Sequence, residues 1–333
     1  MDSSLGADSP VNRKTLVATL AAVACLLAPA GASAQDYPSK PILIIAPFSP
    51  GTAVDFVARL AARSLGEQFK TPVAVENRMG ASGQIGAAAV AKATPDGHTL
   101  LFTSPAHYIN QSLYKNLPYD PVRDFRPVMR ISNAMLVLVV PKSSPVGTQA
   151  ELIAYLRARP GKLSYSSAGS GSTTQLPAAL FNSMANLDVT HIPYKSGAQA
   201  LTDTISGEVF MTMTAITTAQ PHIKAGMLKA IGVSGMARSH SLPDVPTIAE
   251  GGLPGYEFVS WNGLLAPAGT PNEVVARLEA ALTRAVASAE FRERLLGAGL
   301  EPEPLGARAF ADRLLVEIPM WERVVKISGA KAE

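Results

Sequence analysis

Two short stretches hold most of the chemistry-bearing residues of this 333-residue chain. The first is Pro47-Phe48-Ser49-Pro50-Gly51-Thr52, which runs on into Ala53-Val54-Asp55. Thr52 and Asp55 have the spacing of a capping box, in which a hydroxyl and a carboxylate satisfy the first N–H groups of a helix. The N–H groups left over, with the helix dipole behind them, suit an anion. The second stretch is Gly169-Ser170-Gly171-Ser172-Thr173-Thr174, two glycines and four hydroxyls ahead of another helical pattern. Its helix can start from Ser172, with Gln175 in the capping-box position. It can also start from Thr173 or Thr174, which keeps Pro177 in the first turn, where a missing N–H costs little. Either start gathers hydroxyls and N–H groups on one spot that can hold a carboxylate without an arginine.

Other chemistries are poorly supplied. No three histidines or carboxylates have metal-site spacing, so no metal is expected. There is no G-x-S-x-G elbow, and the serines near Gly171 have no evident base, which disfavours a secreted Ser-His-Asp hydrolase. Gly169-x-Gly171 lacks the third glycine of a dinucleotide loop, there is no Walker loop, and no cofactor is expected. Ser104 and His107 follow a strand and fall on a carboxyl-end loop, where cleft residues belong. Tyr194, after the strand that carries His191, is a further cleft candidate. His222 is expected to cap or pack, and His98 and His240 to be exposed. Trp261 is expected in the core.

The elements that must position these residues alternate. Ile42 to Ala46 reads as a buried strand, followed by a helix from Thr52. Strands at 73–77 and 99–103 flank a small-residue helix, 85–92. Asp120 to Pro127 reads as a polar connection, and Ala134 to Val140 as a strand. Then come a helix from Gln149 to Arg159, a strand at 162–166, a helix through Met184, a strand at 189–192, a helix at 196–205 and a strand at 209–212. A helical turn at 221–225, strands at 228–234 and 258–265, and helices at 271–287 and 307–325 complete the chain. Pro319 is expected to kink or interrupt the last helix. Repeated strand–helix alternation predicts an α/β fold of mostly parallel sheets covered by helices on both faces.

The composition fits a soluble globular protein of two domains, 47% hydrophobic and 17% charged. A formal charge of +3, with its residues scattered, gives no nucleic-acid footprint. Arg13-Lys14, the apolar run Leu16 to Ala28 and Ala32-Ser33-Ala34 have the form of an export signal cleaved after Ala34. Cys25 falls inside that segment and no lipobox precedes it, so the mature chain would carry no thiol. A periplasmic location follows as an expectation.

Several motifs carry a resemblance. They include Asp36-Tyr37-Pro38-Ser39-Lys40-Pro41, Pro47-Phe48-x-Pro50-Gly51, Val75-Glu76-Asn77-Arg78 and Leu117-Pro118-Tyr119-Asp120-Pro121. Further on stand His191-x-Pro193-Tyr194-Lys195, Leu242-Pro243-Asp244-Val245-Pro246-Thr247 and Ala266-Pro267-Ala268-Gly269-Thr270-Pro271. Their order over 36–333 resembles the Bug family, the solute receptors of tripartite tricarboxylate transporters. The resemblance implies a monomeric, two-lobed, type II periplasmic binding protein that closes on a small carboxylate and serves integral-membrane transporter subunits or a sensor protein. It implies lobes of 35–136 plus 260–333 and of 137–259, with hinge strands near 134–140 and 258–265. It also implies that Phe48, Ser49, Gly51, Thr52 and Ala53 face Ser170, Gly171, Ser172, Thr173 and Thr174 across the cleft. The family pattern is departed from at Thr52, often Gly; Val54, often Ser or Thr; Gln175, often His; and Thr214, usually acidic. Without an acid at Thr214, a fully anionic or apolar-bodied carboxylate is expected rather than an amino acid.

Overall fold

The computed structural model describes residues 37–330. The export-signal reading of 1–34, with Cys25, lies outside the described residues. The unit that starts at Lys40 contains two sheets. Strands β1 (Ile42–Ala46), β2 (Val73–Asn77), β3 (Thr99–Thr103), β4 (Phe125–Ala134), β10 (Ser260–Pro267) and β11 (Glu301–Gly306) make the first. Its order is β11-β4-β10-β3-β1-β2. Strands β5 (Leu136–Pro141), β6 (Ser164–Ser167), β7 (Thr190–Pro193), β8 (Met211–Ala215) and β9 (Leu228–Val233) make the second, in the order β7-β6-β8-β5-β9.

The two-lobed α/β expectation holds, but the sheets are mixed. β1 is parallel to β2 and β3, and β6 to β7 and β8. β10 and β4 pair antiparallel, and β5 runs against β8 and β9. The strands flanking the passages between sheets therefore break the parallel pattern that βαβ units alone would produce. The chain leaves the first sheet at Ala134, enters the second at Leu136, and returns to the first at Ser260.

Local chemistry accounts for most elements. Helix α1 (Ala53–Phe69) starts from Thr52 and buries Val57, Leu60 and Leu65. Each such side chain contributes roughly 1.5–3 kcal/mol when fully removed from water. Short α2 (Gln84–Ala91) follows a loop at 80–83, and α3 (Ala106–Leu113) follows β3 directly. A complete capping box of Thr148 and Glu151 opens α4 (Gln149–Arg157). In the second sheet's half, α5 (Gln175–Met184), α6 (Gly197–Ser206) and α7 (Ile216–Lys224) alternate with strands. Helices α8 (Asn272–Ala287), α9 (Ala289–Gly297) and α10 (Ala307–Ser328) finish the first.

Five elements differ from expectation. The expected polar connection at 120–127 ends in strand from Phe125, and β4 runs on through 128–133, where no strand was expected; its Arg130 is 1% exposed. Arg130 is tied to Asn133 and ion-paired with Glu317 at 2.9 Å and Glu303 at 2.7 Å. A polar strand of this kind is stable only with those distant partners in place. β11 carries Pro302 and Pro304, which a strand tolerates at a sheet edge, and β11 lies at one. Helices α3 and α9 were not foreseen as separate elements. Finally, α10 runs on through Pro319. The carbonyl robbed of a donor belongs to Leu315, a residue 74% exposed, so water can serve it.

One apolar cluster takes in Leu101 and Trp261 of the first sheet, Leu138 of the second, Phe181 of α5 and Trp321 of α10. Helix α10 packs on β4 and also on α5 of the second sheet's half. Trp261 donates through Nε1 to Glu317 at 3.0 Å, so it is a core residue, as expected.

Candidate functional site

The first loop is braced from below by Asp55. Thr52 caps α1, accepting from Asp55 N at 3.4 Å. The Asp55 carboxylate does not close the box on Thr52. It reaches one residue further and accepts from Gly51 N at 3.0 Å, from Arg59 Nε and from Asn77 Nδ2. Asn77 also donates to Phe48 O, so the loop is tied at both ends. Burial alone would raise the Asp55 pKa, but hydrogen bonds from Arg59, Gly51 and Asn77 outweigh it and hold the carboxyl below its ordinary value. The Thr52 hydroxyl donates to Ser49 O at 2.8 Å and is thereby consumed by its own turn. Among the described residues, the N–H groups of Ala53 and Val54 have no protein acceptor. They are the free donors of this helix start.

The second loop is braced by a buried amide and a neutral imidazole. The helix proper starts at Gln175 behind Thr174, while Ser172 Oγ accepts from Gln175 N at 3.2 Å. The Gln175 side chain, 1% exposed, accepts from Gly171 N at 2.6 Å. Thr174 Oγ1 accepts from Ala168 N. His191 lies beneath, stacked on Tyr165, with Nε2 2.7 Å from Ser167 Oγ and Nδ1 3.5 Å from Gln175 Nε2. Burial pushes the His191 imidazole pKa down. Because Gln175 Nε2 can only donate, Nδ1 is the acceptor and Nε2–H donates to Ser167. The Ser167–His191 pair therefore has the wrong tautomer for a nucleophile and its base, and Ser167 is buried.

These loops line two chambers between the sheets. The larger, about 770 Å³, is lined by Phe48 from the first loop and by Ser170, Gly171, Ser172, Thr173 and Tyr194 from the second half. The smaller, about 270 Å³, is lined by Gly51, Thr52 and Ala53 and by Ala215, Ile216 and Thr217 at the start of α7. The expected facing of the two loops is thus split: Phe48 opposes the Gly/Ser loop, whereas Gly51–Ala53 oppose the α7 terminus. Thr214 is buried one residue before that terminus, and Ser49 and Thr174 line neither chamber. A third groove, of about 470 Å³, lies outside the cleft between α1, α8 and α9. Its Arg63 and Arg284 are already bonded to Glu67 and Gln68.

Two expectations are corrected. His107 is not a cleft residue: α3 turns it inward, where it stacks on Tyr119 and meets Phe125 edge-on. Burial lowers its pKa to about 4, and Nε2 lies 3.1 Å from Pro121 O. Ser104 is buried beside it and its carbonyl accepts from His107 N. His98 is buried against Asp96 rather than exposed. His240 is exposed as expected, bonded to Glu301 at 2.6 Å.

Sequence reasoning missed Ser82, Asn110, Tyr114 and Lys195 on the larger chamber and Gly299 on the smaller. Ser82 follows the carboxyl end of β2 and Lys195 that of β7, so treating every strand end as cleft would have found both. Gly171 and Leu113 touch across the larger chamber, and Gly299 and Thr217 across the smaller. Among the described residues, no side-chain carboxylate lines either chamber, and Lys195 is the one charged lining residue.

Comparison with known proteins agrees with this architecture. A profile described as tripartite tricarboxylate transporter family receptor matches residues 57–328. Protein BugT of Bordetella pertussis is 34% identical over 94% of this chain and 98% of its own length. The structure of R. palustris Rpa4515 with adipate is 36% identical, with a TM-score of 0.75, over 89% of this chain and 99% of that one. MatC from Rhodopseudomonas palustris with bound malate is 33% identical, with a TM-score of 0.71, over 87% of this chain and 100% of that one.

Proposed function

Because the chain belongs to the tripartite tricarboxylate transporter receptor family, a family of binding receptors rather than enzymes, we propose that it captures a small carboxylate between its lobes in the periplasm and hands it to a membrane transporter. The observation that carries this reading is the electrostatics of the cleft. Among the described residues, its lining has no acid and one ammonium, and the helix-start N–H groups of Ala53 and Thr173 on it have no protein acceptor. Free donors at helix starts and a single cation favour an anion and disfavour a zwitterion's ammonium. The adipate and malate held by two structural neighbours are small carboxylates of this kind. Ser170 and Thr173 add hydroxyls on the second lobe, and Phe48 an apolar wall on the first.

The lobes in this reading are 40–134 with 260–330, and 136–258. They turn about the two passages at Met135 and before Ser260. Ligand that touches both walls binds the closed state better and so shifts the population toward it. Thermal unfolding of the purified protein with adipate, malate, aspartate or glutamate tests the reading. A dicarboxylate without an amine at a hundredfold excess over its Kd should stabilise by about 2.7 kcal/mol, without turnover. Stabilisation by aspartate and glutamate alone would sink it.

A further inference from the structure

The loop between β2 and α2 holds four consecutive residues at positive φ: Gly80 at 123°, Ala81 at 45°, Ser82 at 54° and Gly83 at 90°. Glycine accepts this region freely, but a serine there is strained. Strain of this sort persists where the surroundings hold it. Asn110, itself buried, donates through Nδ2 to Ser82 O at 3.0 Å, and Gly83 N donates to Gly80 O. The result is that Ser82 stands exposed on the wall of the larger chamber, its Oγ 2.8 Å from Tyr114 Oη.

The rest of that first-lobe wall offers a ligand little polarity. Phe48, Ala106, Ile109 and Leu113 are apolar, and the Asn110 amide is spent on the loop. Two hydroxyls bonded to each other use one hydrogen between them and leave the second free to donate. Across the chamber stand Lys195 and the Gly/Ser loop. A ligand that closes the lobes needs a polar hold on the first lobe, and in this chamber the hydroxyl pair is the side-chain donor available for it.

We propose that Ser82 and Tyr114, with Lys195 opposite, form a subsite for a second acidic group, and that the receptor selects dianions over matched monoanions. The proposal rests on the carboxylate-receptor reading and refines it. One carboxylate takes the free N–H and hydroxyl donors of the Gly/Ser loop. The other takes the free hydroxyl hydrogen and the ammonium. An apolar chain between them lies along Phe48 and Leu113.

Calorimetric titration with adipate against hexanoate, and malate against 3-hydroxybutyrate, tests it on the wild type and on Ser82→Gly, Tyr114→Phe and Lys195→Met. Wild type should bind the better dianion at least tenfold more tightly than its monoanion. Ser82→Gly should raise the melting temperature without ligand, since the strain is relieved, and yet cut the dianion-to-monoanion ratio about tenfold. Tyr114→Phe and Lys195→Met should cut the same ratio. An unchanged ratio in Ser82→Gly and Tyr114→Phe, with dianions still bound, overturns the subsite and leaves the receptor reading standing. Wild type that binds none of the four acids overturns both.

Discussion

Replacing Asp55 by Asn isolates the charge that holds the first loop. The carboxylate is 4% exposed and serves two groups of donors. Oδ2 accepts from Gly51 N and Arg59, and Oδ1 from Asn77 and Arg59. An asparagine of the same shape has one acceptor oxygen, so its NH2 must face one of those donor groups. A donor left unsatisfied in a buried place costs about 1–3 kcal/mol. The Arg59 side chain is 52% exposed, so its ion pair adds only about 0.3–0.5 kcal/mol. The sum is about 2 kcal/mol, or a fall in melting temperature of about 3 °C for a chain of this size. The sign of the pH dependence is fixed by the depressed pKa. Stability from Asp55 is fully present above the ordinary carboxyl value near about 3.9 and is lost as pH falls through the lower folded value. Urea unfolding of both proteins at pH 7 and again near about pH 3 should therefore show a gap that narrows in acid. Equal stability at pH 7, or a gap that widens in acid, would refute the reasoning.

Two other perturbations follow from the same geometry. Glu317→Ala removes the buried partner of Arg130 and Trp261 and should destabilise by about 3–5 kcal/mol, seen as a lower urea midpoint; a loss under about 1 kcal/mol would show that Glu303 suffices. Gly299→Ala puts a methyl against Thr217 Cγ2 across the lobes and should weaken ligand binding about tenfold, or 1.4 kcal/mol. Adding Thr217→Ser removes that methyl partner and should restore the affinity, whereas additive losses would place the damage elsewhere.

The sequence shows the two loops because capping chemistry is local. Thr52 with Asp55 and Ser172 with Gln175 sit within one turn of each other, and their hydrogen bonds form at those positions. β4 stays hidden because Arg126, Pro127, Arg130 and Asn133 look like a loop until Glu317, far along the chain, is beside Arg130. His107 misleads for a related reason: nothing near it in sequence announces Phe125 and Tyr119 as its neighbours. The split of the cleft into two chambers depends on which loop faces which across the lobes, a property of tertiary approach. Residue types alone do not encode it at short range.

The two tryptophans give the molecule an optical property. Trp261 and Trp321 are the only ones in the chain, and both are sealed from solvent with ring centroids 6.4 Å apart. Trp261 begins one residue inside the strand that returns from the second sheet, and Trp321 rides on the helix that also touches α5. Neither lines a chamber. A ligand in either chamber therefore does not touch a tryptophan, and under the proposed turning of the lobes about Met135 and Ser260 an intensity change on adding a solute would report that motion rather than direct contact.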